Sequence, residues 1–375
     1  MKKIVPALLL SALAIGCKHP LDIIGEGDIT SLSGNRDCYY EWAIDPNHPQ
    51  HSACADNEVL APDEYVETFY GQARTGWHFH RWANYCKNAV TNECSFNISA
   101  SLVQQAAGFT VKPLYGIFRE DVISGYKSLF MGHSLFDPMA VGMAFHANEA
   151  GVFPNHSQET FLYYSAAGAP INIWNDPFNK AEIQAELDEG DVALFVMPIH
   201  HDHVDIQGYR LWTDYALQQN PDTRIAIGIP WLWWPHNYAD AEAYDAAWHT
   251  FVANDVHPIV DQLRLEFPHT DFFTIPYGQA SGELYKLFED GQLPDVTSAV
   301  EVPGHPEAIW LDLRPHPDFI LVELAQLVFL ASIYGVDMTT YAYDPGYITD
   351  LKAIADDIMG DQDPNYAAPY APYLP

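Results

Sequence analysis

The tetrapeptide Gly132-His133-Ser134-Leu135 is the first place in this sequence where residue types and spacing could do covalent chemistry. It ends a short apolar run and precedes a helical pattern, so the Ser134 hydroxyl would sit at a helix N-terminus. Backbone N–H groups there can stabilise a nearby oxyanion. The same serine could instead only cap that helix. A second concentration of chemistry is Ile199-His200-His201-Asp202-His203-Val204-Asp205, directly after the clearest strand of the chain. Its imidazoles could donate hydrogen bonds or hold a metal ion. A third is Trp231-Leu232-Trp233-Trp234-Pro235, with His236 beside it. Indole faces suit sugar rings or acyl chains, and they equally suit packing under a loop.

The elements that must position these groups alternate. Residues 127–131, 160–165, 191–199, 224–229 and 271–275 read as strands. Residues 137–150, 179–189, 204–219, 239–267 (interrupted at Pro258), 281–290 and 316–334 read as helices. The run at 191–199 is apolar almost throughout, as a strand buried on both faces should be. Strands separated by helices of this length imply βαβ units and a parallel sheet with helices on both faces. Ligands of such sheets bind beyond the C-terminal strand ends, where all three concentrations lie. Upstream, residues 18–60 read as a tether with irregular structure. Residues 62–94 read as helical, because Pro62-Asp63-Glu64 offers Pro at the first helical position and acids in the first turn. The tail, 363–375, reads as extended.

Composition narrows the function classes. Of 375 residues, 48% are hydrophobic, which is ample for a core. Lys and Arg total 17 against 50 Asp and Glu, a net charge of −33, so nucleic acid is excluded as a partner on electrostatic grounds. Lys2 and Lys3 precede an apolar run over 4–15, a secretory signal too short to span a membrane comfortably. The run ends Leu13-Ala14-Ile15-Gly16-Cys17, which resembles the lipobox of bacterial lipoproteins. That resemblance implies acylation of Cys17 and anchoring in a membrane, an outer membrane facing the periplasm or the cell surface, and an anchor as the chain's sole membrane contact. In an oxidising compartment the four remaining cysteines read as two disulfides. Three pairings exist; Cys38–Cys54 and Cys86–Cys94 are favoured because they are local. A zinc site is the alternative.

Phe130-Met131-Gly132-His133-Ser134-Leu135 resembles the first block of the SGNH/GDSL hydrolases, Gly-Asp-Ser-Leu, with His in the second position as in some branches. The resemblance covers residues 124–340. It implies a flavodoxin-like three-layer α/β/α sandwich with a central parallel sheet, here behind an N-terminal disulfide-containing extension (18–123) and ahead of a C-terminal segment (341–375). It also implies Ser134 as nucleophile, and Gly168 as the glycine whose N–H joins that of Ser134 in the oxyanion hole. Asp312-Leu313-Arg314-Pro315-His316-Pro317 matches the last block, Asp-x-x-His, with one extra residue between acid and base. His316 would be the general base and Asp312 its orienting acid. The third block departs: no Asn follows strand three, and His200 or His201 is the candidate replacement donor. His133, Trp231, Trp233 and Trp234 are expected to line the substrate cleft.

The reading is an exported serine hydrolase acting on an ester of a carbohydrate, a lipid or a small alcohol, with no cofactor and no catalytic metal. Two alternatives stay open. One is a non-catalytic surface lipoprotein that keeps the fold as a binding module. The other is a zinc hydrolase using residues 200–205, a segment that resembles the metallo-β-lactamase motif His-x-His-x-Asp-His. Neither register of that motif is complete, and His236, His249, His257, His269 and His305 lie downstream.

Overall fold

Five parallel strands position the chemistry-bearing segments: β1 (Lys127–Gly132), β2 (Ser157–Leu162), β3 (Leu194–Pro198), β4 (Arg224–Gly228) and β5 (Phe272–Ile275). These come from a computed structural model. It describes residues 16–368 apart from 62, 88, 90, 121–124, 153–155 and 303–306. The signal run over 1–15, Pro62, His305 and residues 369–375 lie outside the described residues.

The spatial order is β2-β1-β3-β4-β5. The register sets Phe195 beside Leu129 and Ile225, and Ile227 beside Thr274. All five residues of β3 are buried, as its unbroken apolar run demands. This order reverses direction between β1 and β3, so the topological switch point lies at their C-terminal ends, where Ser134 and His200 emerge. Helices connect the strands: α1 (Asp137–Glu149), α2 (Pro170–Asn175), α3 (Pro177–Leu187), α4 (Ile206–Gln219), α5 (Ala241–Phe251), α6 (His257–Glu266) and α7 (Gln279–Glu289). Beyond them come two short parallel strands, β6 (Ser298–Val300) and β7 (Ala308–Trp310), then α8 (Phe319–Tyr334) and α9 (Leu351–Asp361). Helix α8 is apolar almost all round and packs against α1, α9 and β5, while α4 packs on α2 and α3. A helix apolar all round must be covered on every side. This mixed α/β unit is compatible with a three-layer α/β/α arrangement.

The expected interruption near Pro258 is a π-helical turn, Val252–Val256, that ends where α6 begins. Pro258 itself sits in the first turn of α6, where its missing N–H is not needed.

The chain divides into two compact units, Met1–Asp121 and Val122–Pro375. The first corrects the expectation of a helix over 62–94. Strands Tyr65–Ala73, Trp77–Ala83 and Glu93–Ile98 occupy that segment. Burial alternates from Tyr65 to Gly71, with Tyr65, Glu67 and Phe69 facing in. This two-residue period of aromatic and β-branched side chains outweighed the helix-start signal at Pro62. Tyr65–Ala73 pairs antiparallel with Gly27–Ser31 and Glu93–Ile98, while Leu114–Glu120 joins Leu21–Ile24 to Trp77–Ala83. Residues 18–60 are therefore strands and two short helices rather than an irregular tether. Disulfides Cys38–Cys54 and Cys86–Cys94 form in this unit, the local pairing. Cys17 is free and buried, in a strand paired with Glu58–Leu60. No helix among the described residues is long and apolar enough to cross a membrane.

Candidate active site

Ser134 leaves the end of β1 in a sharp turn. The Phe136 and Asp137 N–H groups both donate to the His133 carbonyl, at 2.9 and 3.0 Å. Gly132 permits the turn: a Cβ there would lie 2.6 Å from the Phe136 ring and 2.7 Å from the Pro198 ring. Ser134 is partly exposed, and its Oγ is 3.2 Å from His316 Nε2. His316 Nδ1 is in turn 2.7 Å from Asp312 Oδ2. The sheet and α8 thus bring a hydroxyl, an imidazole and a carboxylate into one hydrogen-bonded line.

The extra residue between Asp312 and His316 is absorbed by a closed loop. The Leu311 N–H donates to the His316 carbonyl at 2.8 Å, and the Asp318 N–H to the Ile309 carbonyl at 2.9 Å. Inside that loop Asp312 Oδ1 accepts from the Arg314 and His316 N–H groups, at 2.8 and 3.2 Å. Burial disfavours the Asp312 carboxylate. The hydrogen bonds from the His316 side chain and backbone and the Arg314 backbone more than offset this, and its pKa falls below the ordinary value. Asp318 then caps α8 by accepting from the Phe319 N–H. The Trp231 indole N–H donates to the Pro315 carbonyl at 2.8 Å, which holds the loop from beneath.

Gly168 ends a single 3₁₀ turn, Ser165–Gly168, after β2. A Cβ on it would lie 2.6 Å from both the Gly132 carbonyl and His133 Cβ. Only glycine lets this backbone approach the serine-bearing strand so closely. The Asn172 amide donates to the Ala166 carbonyl at 2.7 Å and so fixes the turn.

Three of the expected site residues are placed differently. His133 is buried, with Nε2 at 3.0 Å from the Ile199 carbonyl, and burial depresses its pKa to about 3. It is a neutral strut between β1 and β3, not a cleft wall. Trp231 is wholly buried and likewise supports the cleft from below. His201, its pKa lowered to about 4 chiefly by burial, has one N–H when neutral and spends it on the Trp231 carbonyl at 2.7 Å. His200 Nδ1 accepts from the Asp202 N–H of the turn after β3, so a neutral His200 ring carries its proton on Nε2. His201 has no N–H left for an oxyanion, because it satisfies the Trp231 carbonyl in the connection after β4, whereas His200 keeps one.

Trp233 and Trp234 do line a cavity, of about 330 Å³, together with His201, Asn237, Tyr238 and Phe251. The His200 ring stands between this cavity and the serine strand, 6.4 Å from the Trp233 ring and 5.2 Å from the His133 ring. Among the described residues no three His, Cys, Asp or Glu side chains converge to hold a metal ion. The supporting role of Trp231 had no signal in the sequence, since it acts on a carbonyl 84 residues away, whereas Asn172 acts within its own turn, six residues from its partner.

No family model matches this sequence, and no curated protein does. Among solved structures, the chain resembles a DUF4886 family protein of Bacteroides uniformis, with 11% identity over 63% of this chain and 95% of that one, at a TM-score of 0.44. It also resembles a protein of Parabacteroides merdae described as a putative GDSL-like lipase, with 13% identity over 56% and 96% of the two chains and a TM-score of 0.34. A third likeness is to the periplasmic domain of a lipopolysaccharide acetyltransferase of Salmonella ser. Paratyphi A, with 13% identity over 42% and 69% and a TM-score of 0.28.

Proposed function

We propose that the Val122–Pro375 unit is a serine hydrolase that cleaves carboxylic esters. One observation carries the reading: Ser134 Oγ, His316 and Asp312 form a continuous line at 3.2 and 2.7 Å at the switch point of a parallel sheet. In this reading Ser134 Oγ attacks the ester carbonyl and its proton passes to His316 Nε2. The backbone N–H groups of Ser134 and Gly168 receive the oxyanion. Collapse breaks the ester bond, and the alcohol leaves with the proton from His316. A water, deprotonated by the same nitrogen, then attacks the acyl-enzyme and restores Ser134. Asp312 holds the Nδ1–H and offsets the charge of the imidazolium.

The test is labelling with a fluorophosphonate and mapping of the adduct. The expected result is modification at Ser134, lost on denaturation and in His316→Ala. A folded protein that takes no label sinks the mechanism.

Export belongs to the same proposal, and two disulfides support it. Lipid anchoring through Cys17 requires its buried sulfur to leave the strand it occupies. Intact mass of the membrane-extracted protein decides this: a diacylglyceryl adduct at Cys17 is expected, and an unmodified soluble chain refutes anchoring.

A further inference from the structure

Ser134 and His316 are carried to their site by two helices that pack on each other. Each stands three residues before its helix: Ser134 before α1, which begins at Asp137, and His316 before α8, which begins at Phe319. The 3.2 Å between Ser134 Oγ and His316 Nε2 therefore depends on how α8 lies across α1.

That seam is largely apolar, as in the Phe136–Phe329 ring contact at 5.7 Å. Apolar contact is non-directional, so it holds two helices together without fixing their register. Gln326 supplies the direction. Glu323 and Gln326 are the polar residues among the first eight of α8. The Gln326 amide nitrogen donates at 2.7 Å to the Pro138 carbonyl, in the first turn of α1 and four residues after Ser134. That carbonyl only accepts, so the amide oxygen faces the other way, 3.0 Å from Nε2 of the buried His146 in the last turn of α1. His146 then carries its proton on Nε2, and its Nδ1 accepts from the Tyr341 hydroxyl at 3.2 Å. One side chain of α8 thus grips both ends of α1, with every donor and acceptor assigned.

Gly142, midway between Pro138 and His146, makes the space for this grip. A Cβ there would overlap the Gln326 amide, the tip of a side chain rather than backbone. Glycine in a helix interior is less stable than alanine. Here it leaves room for a bonded amide between two helices.

We propose that Gln326 is a positioning residue for the reaction: seated on Gly142 and bonded to Pro138 and His146, it sets the register of α8 on α1 and so the approach of Ser134 to His316. The assignment rests on the serine-hydrolase reading. Directional bonds select one register where apolar packing accepts several. Reacting groups misplaced by about 1 Å lose roughly 10²-fold in rate.

The test uses two variants of the full chain that load stability in opposite directions. Gln326→Met keeps the length of the side chain and removes both of its bonds, leaving His146 to face Glu323 at 3.8 Å. Gly142→Ala favours the helix and evicts the amide. Fluorophosphonate labelling of Ser134 is followed against probe concentration, at a temperature where thermal melts show each variant folded. In both variants the saturating rate should fall about tenfold, the cost of a shift of about half an ångström. The probe concentration giving half that rate should stay within about twofold of wild type. A merely structural link would lower the melting temperature of Gln326→Met and leave the rate of the folded molecules unchanged. The proposal is overturned if either folded variant labels at the wild-type saturating rate. It is overturned equally if the loss lies in the half-saturating concentration, which would place the change in the cleft instead of the serine line. Wild-type protein that takes no label rejects the serine-hydrolase reading itself, and the positioning role falls with it.

Discussion

Replacing Asp312 by Asn tests the geometry of the serine line most sharply. Asn keeps the shape and an acceptor oxygen for His316 Nδ1, but removes the charge. Two unit charges about 4 Å apart near a protein surface interact by roughly 4 kcal/mol. The side chains of Asp312 and His316 are 47% and 34% exposed, so water supplies part of that stabilisation. Halving the figure for screening leaves about 2 kcal/mol, or roughly a 30-fold loss of rate. A fully buried triad loses about 10⁴ on the same change. The assay is the second-order rate of fluorophosphonate labelling at Ser134, which needs no knowledge of the natural substrate. A rate within about twofold of wild type would falsify the orienting role of Asp312. A loss as deep as that of His316→Ala would show that the carboxylate does more than a half-exposed charge can, and the screening argument would fail.

Further outcomes follow from neighbouring features. Gly168→Ala should abolish labelling at Ser134 while the protein still folds, since its Cβ would press on the Gly132 carbonyl, a backbone atom that cannot rotate away; normal labelling refutes the close approach. Trp231→Phe should lose about 1 kcal/mol of stability with its bond to Pro315, and slow labelling through the loosened His316 loop; an unchanged rate refutes that support. Acid should destabilise the Val122–Pro375 unit through His133 and His201. Their folded pKa values, about 3 and about 4, lie below the unfolded 6.5, so the unfolded chain binds protons first as pH falls. Stability should then drop from pH 6.5 downward by up to about 1.4 kcal/mol per pH unit for each ring. Denaturant melts of this unit from pH 7 to 4.5 check the slope, and His133→Gln should reduce it. Reducing Cys38–Cys54, which closes a 16-residue separation, should cost the Met1–Asp121 unit about 3 kcal/mol; a melt unaffected by reductant refutes this.

Local pattern in the sequence determined a good deal. An unbroken apolar run specified β3, because a strand covered on both faces needs no polar side. Alternation of such runs with helices implied a parallel sheet. Sequence proximity favoured Cys38 with Cys54 and Cys86 with Cys94. Ser134 was marked by standing between a strand and a helix. Other features depended on contacts that no local pattern encodes. Residues 62–64 carry a helix-start signal and residues 65–71 a two-residue alternation, and pairing of Tyr65–Ala73 with two neighbouring strands chose between them. Ser134 and His316 stand 182 residues apart, and only the sheet and the loop before α8 bring them to 3.2 Å. The four-residue step from Asp312 to His316 works because backbone hydrogen bonds close that loop. The histidines after β3 carried the types of residue that bind metals or oxyanions. The fold turned His201 into a strut, because the cost of leaving a buried backbone carbonyl unpaired outweighed the role its type suggested.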